Sequence, residues 1–533
     1  MPALTSPVAI RLSAIPAPLA AFLCGAAAAT GFQPLGLWPL TLVALALLLR
    51  LLQGIRSAHR AALTGWAFGV GHFWLGNNWI ATAFTYQAQM PAWLGWVAIF
   101  LLSLYLAVYP GLAALGAWLV ARRGGTAAFI PAFAACWIVS EWLRSWVFTG
   151  FAWNPLGVVA LGGFARPGLA LALPWLGTYA LSGLVILLAG CWMWGVQPLR
   201  GGAPRWQGAL ALVLPVVLML APFPPPGQGE GSLPFRLIQP DVRQDVLDDP
   251  RYFEASFQKT AALSGAPTAR PTLYLWPESG VPDYLQPGYP RRYYVATTFA
   301  ADPAIARARI GGMLGDNGLL LTGTVDLVID PGKDKAIAAK NVVTAIGPDG
   351  GIAGGYAKAH LVPYGEYLPM RPILEPLGLS RLVAGSLDFH PGPGPRTLDL
   401  GPWGKAGIQI CYEIVFSGQV VDPETRPDYL FNPSNDGWFG SWGPPQHLAQ
   451  ARLRAIEEGL PILRATTTGI SAVIDAGGVV RAHVPERRAA RIGGTVPPAL
   501  APTLFARLGN ILPLGWAIVL LAAAIVASRR ARR

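Results

Sequence analysis

The sequence predicts a polytopic α-helical membrane domain of eight spans, the last of them C-terminal, carrying one large α/β domain of layered sheets. Three observations predict it. Between Met1 and Ser232 the only acidic residues are Glu141 and Glu230 and there is no lysine, while aliphatic and aromatic residues fill the chain. From Leu233 to about Arg491 the composition is that of a globular domain, with nearly all the acids and every lysine. A final apolar run, Ile511 to Ala527, precedes the basic tail Ser528-Arg529-Arg530-Ala531-Arg532-Arg533.

The first part divides into apolar runs at 12–29, 34–53, 61–82, 92–120, 126–147, 168–196 and 206–222. Each lies near the ~20 residues that a bilayer core requires. Arg11 precedes the first run as it would in a signal peptide, but further apolar runs follow at once, so the run is read as an anchor. The arginines fall on alternate connections: Arg50, Arg56 and Arg60; Arg122 and Arg123; Arg200 and Arg205. The intervening loops carry no charge, or only Arg166. Positive charge marks the cytoplasmic side. Both termini are therefore expected in the cytoplasm and the α/β domain on the opposite face. The expected organisation is a seven-span part over 1–222, a Pro/Gly-rich linker over 223–232, a catalytic domain over 233–495, and a return linker, eighth helix and basic tail over 496–533.

The net charge of +12 does not imply a nucleic-acid partner, because the arginines of the first half serve topology and the globular part has no basic stripe interleaved with aromatics. Cys24, Cys136 and Cys191 lie within apolar runs, which leaves Cys411 without an evident disulfide partner. No His/Cys cluster has zinc spacing, and neither a P-loop nor a dinucleotide fingerprint occurs, so no metal or cofactor is expected.

Within the apolar half, Glu141-Trp142-Leu143-Arg144 places two charges in or beside a span, which is costly unless they pair or face protein. Either a mutual i, i+3 pair or a polar anchor for a lipid head group satisfies that pattern. In the globular part, strands are expected at 235–239, 272–276, 319–324, 342–346, 407–411 and 429–432, with helices near 251–264, 292–306 and 446–459. Strands alternating with helices argue for an α/β domain.

Three polar sites follow apolar strand-like runs or lie beside them. Trp276-Pro277-Glu278-Ser279 ends a strand at a proline and presents a carboxylate. Lys358 stands in Tyr356-Ala357-Lys358-Ala359-His360 and Cys411 closes Gly407-Ile408-Gln409-Ile410-Cys411. Taken singly, they also fit a solvated acid, a solvated lysine and a buried structural cysteine. Taken together they suit nucleophilic acyl chemistry: a thiol needs a base, a glutamate supplies one, and a lysine with a backbone N–H stabilises an oxyanion.

Those segments, with His360-Leu361-Val362-Pro363-Tyr364-Gly365-Glu366-Tyr367 and Cys411-Tyr412-Glu413, resemble the Glu-Lys-Cys triad segments of the carbon–nitrogen hydrolase (nitrilase) superfamily. Asn432–Gly440, Gln446-His447, Arg452–Ala455, Leu463–Ser471 and the Glu141–Asn154 region extend the resemblance to the superfamily's membrane-embedded branch, which N-acylates lipoproteins. Departures occur at Gln239-Pro240-Asp241, at Asp248 where the family often has tryptophan, and at Ser145 and Ala152.

The resemblance implies an αββα sandwich and a ping-pong transfer. Glu278 would be the base, Cys411 the nucleophile, Lys358 and the Tyr412 N–H the oxyanion donors, and Glu366 and Glu413 supporting residues. The donor would be a phospholipid, phosphatidylethanolamine, attacked at its sn-1 ester. The acceptor would be the α-amine of a diacylated apolipoprotein. The protein would be a monomer in the bacterial inner membrane with its catalytic domain in the periplasm. Trp438 and Phe439 are expected to contact substrate. The apolar stretch 367–383 fits either a mobile loop over the site or ordinary core. The competing readings are a membrane-anchored amidase or nitrilase-type hydrolase of a small substrate, and a scaffold or transporter with an inactive hydrolase domain.

Overall fold

The computed structural model describes residues 16–86, 91–196, 205–226, 229–377 and 387–531. Arg11, Arg200, Arg532, Arg533 and positions 378–383 of the apolar stretch lie outside them.

Among the described residues, four helices are long and apolar enough to cross a membrane: Trp93–Ala121, Gly125–Arg144, Leu169–Gly195 and Ile511–Arg530. Ala17–Ala29, Trp38–Gln53 and Arg205–Leu220 are apolar but shorter, and Ala58–Gly76 packs among them. The expected 92–120 span is interrupted at Ala107, between Trp93–Leu106 and Val108–Ala121. Pro110 explains this, because its ring opposes the carbonyl four residues earlier and it has no N–H to donate. The 61–82 expectation closes earlier, at Gly76. The 168–196 segment opens with a 3₁₀ turn, Leu169–Ala172, and bends at Gly177, whose φ is 71°. Small residues let helices touch: a Cβ on Gly25 would lie 1.9 Å from Phe68 O, and one on Gly71 2.1 Å from Phe22 O.

Glu141 and Arg144 form a buried i, i+3 pair at 3.8 Å. Together they fasten the loop that follows. Arg144 Nη1 donates to the carbonyls of Phe151 and Trp153, both at 2.9 Å, while Glu141 accepts from Leu156 N–H at 2.8 Å and Ser182 Oγ–H at 2.5 Å.

Among the described residues the α/β part has twelve strands: β1 Pro234–Gln239, β2 Thr272–Leu275, β3 Gly318–Asp330, β4 Lys335–Ile346, β5 Ile352–Ala357, β6 Thr397–Asp399, β7 Lys405–Ile408, β8 Tyr429–Ser434, β9 Ile462–Thr466, β10 Ser471–Ile474, β11 Val480–Val484 and β12 Ala490–Thr495. They form two mixed six-stranded sheets, ordered β12-β1-β2-β3-β4-β5 and β11-β10-β9-β8-β7-β6. In the first, β1, β2 and β3 run parallel, and in the second β7, β8 and β9 do, with antiparallel strands on both sides of each trio. Alternation packs the sheets face to face. Leu273, Leu275, Leu319 and Leu321 join Ile408, Leu430 and Phe431 in one core, while Tyr274, Trp276 and Leu320 turn outward to Phe257 and Ile310. Helices Phe253–Ser264 and Pro303–Leu314 cover the first sheet, and Gly443–Glu458 covers the second.

Two sequence expectations are corrected. The 407–411 strand stops at Ile408. The 292–306 helix is two helices, Arg291–Thr297 and Pro303–Leu314. Between them Asp302 caps the second, accepting from Ala304 N–H at 2.7 Å and Ile305 N–H at 3.3 Å, with proline in the first helical position.

Candidate active site

Glu278 stands three residues beyond the end of β2, after Pro277, whose carbonyl still accepts from Gly323 N–H at 3.1 Å. Its Oε1 accepts from Asn341 Nδ2 at 2.7 Å, and its Oε2 accepts from Asn435 N–H at 2.7 Å. Asn341 lies on β4 and Asn435 just beyond β8, so this one carboxylate ties the two sheets together.

Lys358 follows β5 and is 2% exposed. Its Nζ lies 3.0 Å from Glu366 Oε1 and 3.6 Å from Glu278 Oε1. The second proton of the Asn341 amide goes to Glu366 at 2.9 Å, and Glu366 Oε2 accepts from Val362 N–H at 2.7 Å. Burial pulls the lysine pKa down, but Glu366, Glu278 and Cys411 together outweigh it and hold the ammonium well above its ordinary value. A charged donor is thereby fixed in a dry site.

Cys411 opens a 3₁₀ turn, Cys411–Val415, with φ at 51°. A non-glycine residue in this left-handed region is uncommon, and such residues cluster at functional sites. The thiol is buried, and Ser434 Oγ lies 3.3 Å from Sγ. Burial first, then Glu278, push the thiol pKa well up, with Lys358 opposing them. The resting sulfur therefore keeps its proton until a base removes it.

Glu413 fastens the cysteine turn to the lysine segment. Its Oε1 accepts from Tyr356 O–H at 2.7 Å, Ala359 N–H at 2.7 Å and His360 N–H at 3.2 Å; its Oε2 accepts from Ile410 N–H at 2.8 Å. Burial raises its pKa to about 7. Tyr412 is buried, with its ring 5.1 Å edge-on from Phe416.

The structure thus gathers Glu278, Lys358 and Glu366 into one cluster, and joins Cys411 to it through Glu413 and the strand end that carries Asn435. Trp438 and Phe439 sit elsewhere, at the seam with the membrane helices. Phe439 packs between Trp79 at 4.8 Å and Trp153 at 5.6 Å, and Trp438 lies edge-on to Tyr86 at 5.4 Å. Beside this seam a groove of about 520 Å³ opens among Thr82, Thr85, Trp93, Trp96 and Trp442.

Sequence reasoning assigned no role to a second, wholly buried cluster behind the cysteine. Ser434 Oγ–H donates to Asp436 Oδ1 at 2.7 Å, Arg464 Nη2 donates to both Asp436 oxygens at 2.9 and 2.7 Å, and His447 Nδ1 lies 3.1 Å from Asp436 Oδ1. Burial raises the Asp436 pKa, but Arg464 and His447 outweigh it and hold the carboxyl far below its usual range. Each of these residues stood in a motif that had been singled out, yet the motif carried no indication of who bonds whom. Asn341 gave no signal at all.

Residues 24–191 match the family model described as the apolipoprotein N-acyltransferase N-terminal domain, and residues 250–499 match that of carbon-nitrogen hydrolase. An apolipoprotein N-acyltransferase of Rhodopseudomonas palustris is 33% identical over 92% of this chain and 91% of its own. Another, of Bradyrhizobium diazoefficiens, is 32% identical over 96% of this chain and 95% of its own. A third, of Caulobacter vibrioides, is 34% identical over 86% of this chain and 85% of its own.

Proposed function

The chain belongs to the apolipoprotein N-acyltransferase family, and we propose that it moves an acyl chain from a phospholipid, through a thioester on Cys411, to the N-terminal α-amine of a diacylated lipoprotein. The observation that carries this reading is the charged, buried Lys358 held between Glu278 and Glu366, in a network whose other edge bears the left-handed Cys411.

Glu278 takes the thiol proton. The thiolate attacks the sn-1 ester carbonyl, and the oxyanion is met by the Lys358 ammonium and the Tyr412 N–H. The C–O bond then breaks, Glu278 returns the proton to the departing glycerol oxygen, and a lysophospholipid leaves. In the second half the amine of the S-diacylglyceryl-cysteine attacks the thioester, Glu278 accepts its proton, and the thiolate departs as the amide forms. A thioester suits this task because it divides one hard step into two and remains reactive toward amines.

Glu366 and Glu413 are positioning residues in this scheme. Phosphatidylethanolamine is the proposed donor. The groove at Trp93, Trp96 and Trp442 offers acyl chains an approach from the bilayer, and Trp438 and Phe439 are the proposed substrate contacts near it. In the same reading, 1–222 forms seven spans and 223–232 a linker, 233–495 is a periplasmic catalytic domain, and 496–533 returns through an eighth span. Both termini are then cytoplasmic, in the inner membrane of a bacterium, and the protein acts as a monomer.

Intact-mass measurement of the purified protein with phospholipid, and without acceptor, tests the reading. A gain of one acyl mass, lost on hydroxylamine treatment and absent in Cys411→Ser, is expected. No gain in the wild type would overturn the acyl-enzyme.

A further inference from the structure

We infer that His447 is a positioning residue for the oxyanion donor: by holding the carbonyl of Cys411, it aims the N–H of Tyr412 into the site. The inference rests on the thioester reading above and adds to it a residue that touches neither substrate nor thiol.

In a trans peptide, the carbonyl of one residue and the N–H of the next point in opposite directions across one rigid plane. Whatever fixes the Cys411 carbonyl therefore fixes the Tyr412 N–H. That carbonyl lies 3.0 Å from His447 Nε2, with Asn432 Nδ2 farther off at 3.5 Å. An oxyanion donor is valuable only if it is aimed before the charge develops. The plane in question follows a residue with φ of 51°, which has little intrinsic preference for its place.

The histidine is set up for this task from every side. The Cys411 carbonyl can only accept, so a proton belongs on Nε2, while Nδ1 is held from the other side by Arg464 Nη2 at 3.0 Å and Asp436 Oδ1 at 3.1 Å. The same guanidinium holds Asp436, so it is fixed independently of the imidazole. Burial and Arg464 lower the His447 pKa, with Asp436 and the Cys411 carbonyl opposing them. The imidazole is fully buried, and Trp153 and Phe439 pack on it at 5.1 and 5.6 Å. Trp153 belongs to the loop pinned by Arg144, and its Nε1–H donates to Gln446 at 2.8 Å. The membrane part thus clamps the ring whose opposite edge holds the peptide plane.

The test separates making a thiolate from stabilising an oxyanion. Alkylation of Cys411 by iodoacetamide is a displacement at saturated carbon and forms no oxyanion, whereas thioester formation does. In the full-length protein with phospholipid, His447→Asn cannot reach the carbonyl. It is expected to slow single-turnover thioester formation about 10²-fold. The alkylation rate, its pH profile and the phospholipid KM should stay within about threefold of wild type. The longer amide in His447→Gln places a nitrogen where Nε2 stood, and should restore the rate to within about tenfold. Unchanged thioester formation in His447→Asn, a parallel fall in alkylation, or a glutamine variant no better than the asparagine one would overturn the inference. Should His447→Asn lose its melting transition, His447→Gln decides alone: at least one-tenth of wild-type acylation with normal alkylation supports the inference, and loss of both refutes it. A wild type that alkylates normally yet forms no thioester refutes the acyl-enzyme, and this inference with it.

Discussion

The two sheets share one plan and are covered by very different helices. Each has a parallel trio with antiparallel neighbours on both sides. Over the first sheet, Phe253–Ser264 buries three of its 12 residues and Pro303–Leu314 four of 12, so both face water on most sides. Over the second, Gly443–Glu458 buries fifteen of 16, although it contains glutamines, arginines and glutamates. Its Ala449, Leu453 and Ile456 join the core of the membrane helices, while Leu448, Ala451 and Ala455 join the core of the sheets. Its polar groups are matched across the seam: Arg452 donates to the Gly162 and Gly163 carbonyls at 2.9 and 2.7 Å, and Glu457 accepts from Thr178 N–H at 2.6 Å. Glu278 and Lys358 thus rest on a sheet supported within the α/β part. Cys411 rests on one supported by the membrane part.

The largest expected break in this asymmetry is Asp436→Asn. It leaves the buried Arg464 guanidinium without its counter-ion, at a cost of about 3–5 kcal/mol. Thermal melting in detergent should show a drop of that size, and a melting point equal to wild type would contradict it. On the other sheet, Glu366→Gln leaves Lys358 with Glu278 alone. Here activity should suffer more than stability, with thioester formation slowed about 10²-fold and the melting point little changed.

A third test sharpens the comparison through pH. Glu458 ends the buried helix, and burial, with Glu457 beside it, raises its pKa from 4.5 to about 7. The folded state then holds this proton more tightly than the unfolded chain does. The resulting stability is full below pH ~4.5 and is lost as pH rises through about 7, amounting to on the order of 3 kcal/mol. Glu458→Gln should therefore melt like wild type at pH 4.5 and above it at pH 8; matched curves at both would discount the shift. The smallest contrast is between two glutamines. Gln446→Ala should cost about 1–2 kcal/mol by stranding the Trp153 indole N–H, whereas Gln258→Ala, on the exposed face of the first sheet's helix, should stay within about 0.5 kcal/mol.

Much of this was legible in the chain. The apolar runs marked the helices of the membrane part, and alternation such as Leu273-Tyr274-Leu275-Trp276 marked strands, because side-chain period reports one-sided burial directly. Gly407–Cys411 misled for the same reason. Its apolar pattern continues to Ile410, while the ladder stops at Ile408 and the backbone turns over at Cys411, a change that periodicity does not encode. The Asp302-Pro303 junction carries a helix-start signal within the segment 292–306, and it divides that segment in two. The helix near 446–459 was legible, but its burial was not, because that comes from loops almost 300 residues earlier. The candidate triad was visible as three strand-end residues. Asn341, Ser434 and the tautomer of His447 were not, since each has meaning only through partners brought together by the fold.

The backbone at Cys411 has a consequence for how the gene can change. An L-residue pays about 1–2 kcal/mol to sit in the left-handed region, and glycine pays almost nothing. Replacing Cys411 by glycine would relieve the chain at the very position where it abolishes the sulfur. Folding and activity therefore select in opposite directions at this codon. In a copy freed from the need to acylate, glycine there would exchange the packing of one buried thiol for a relaxed backbone.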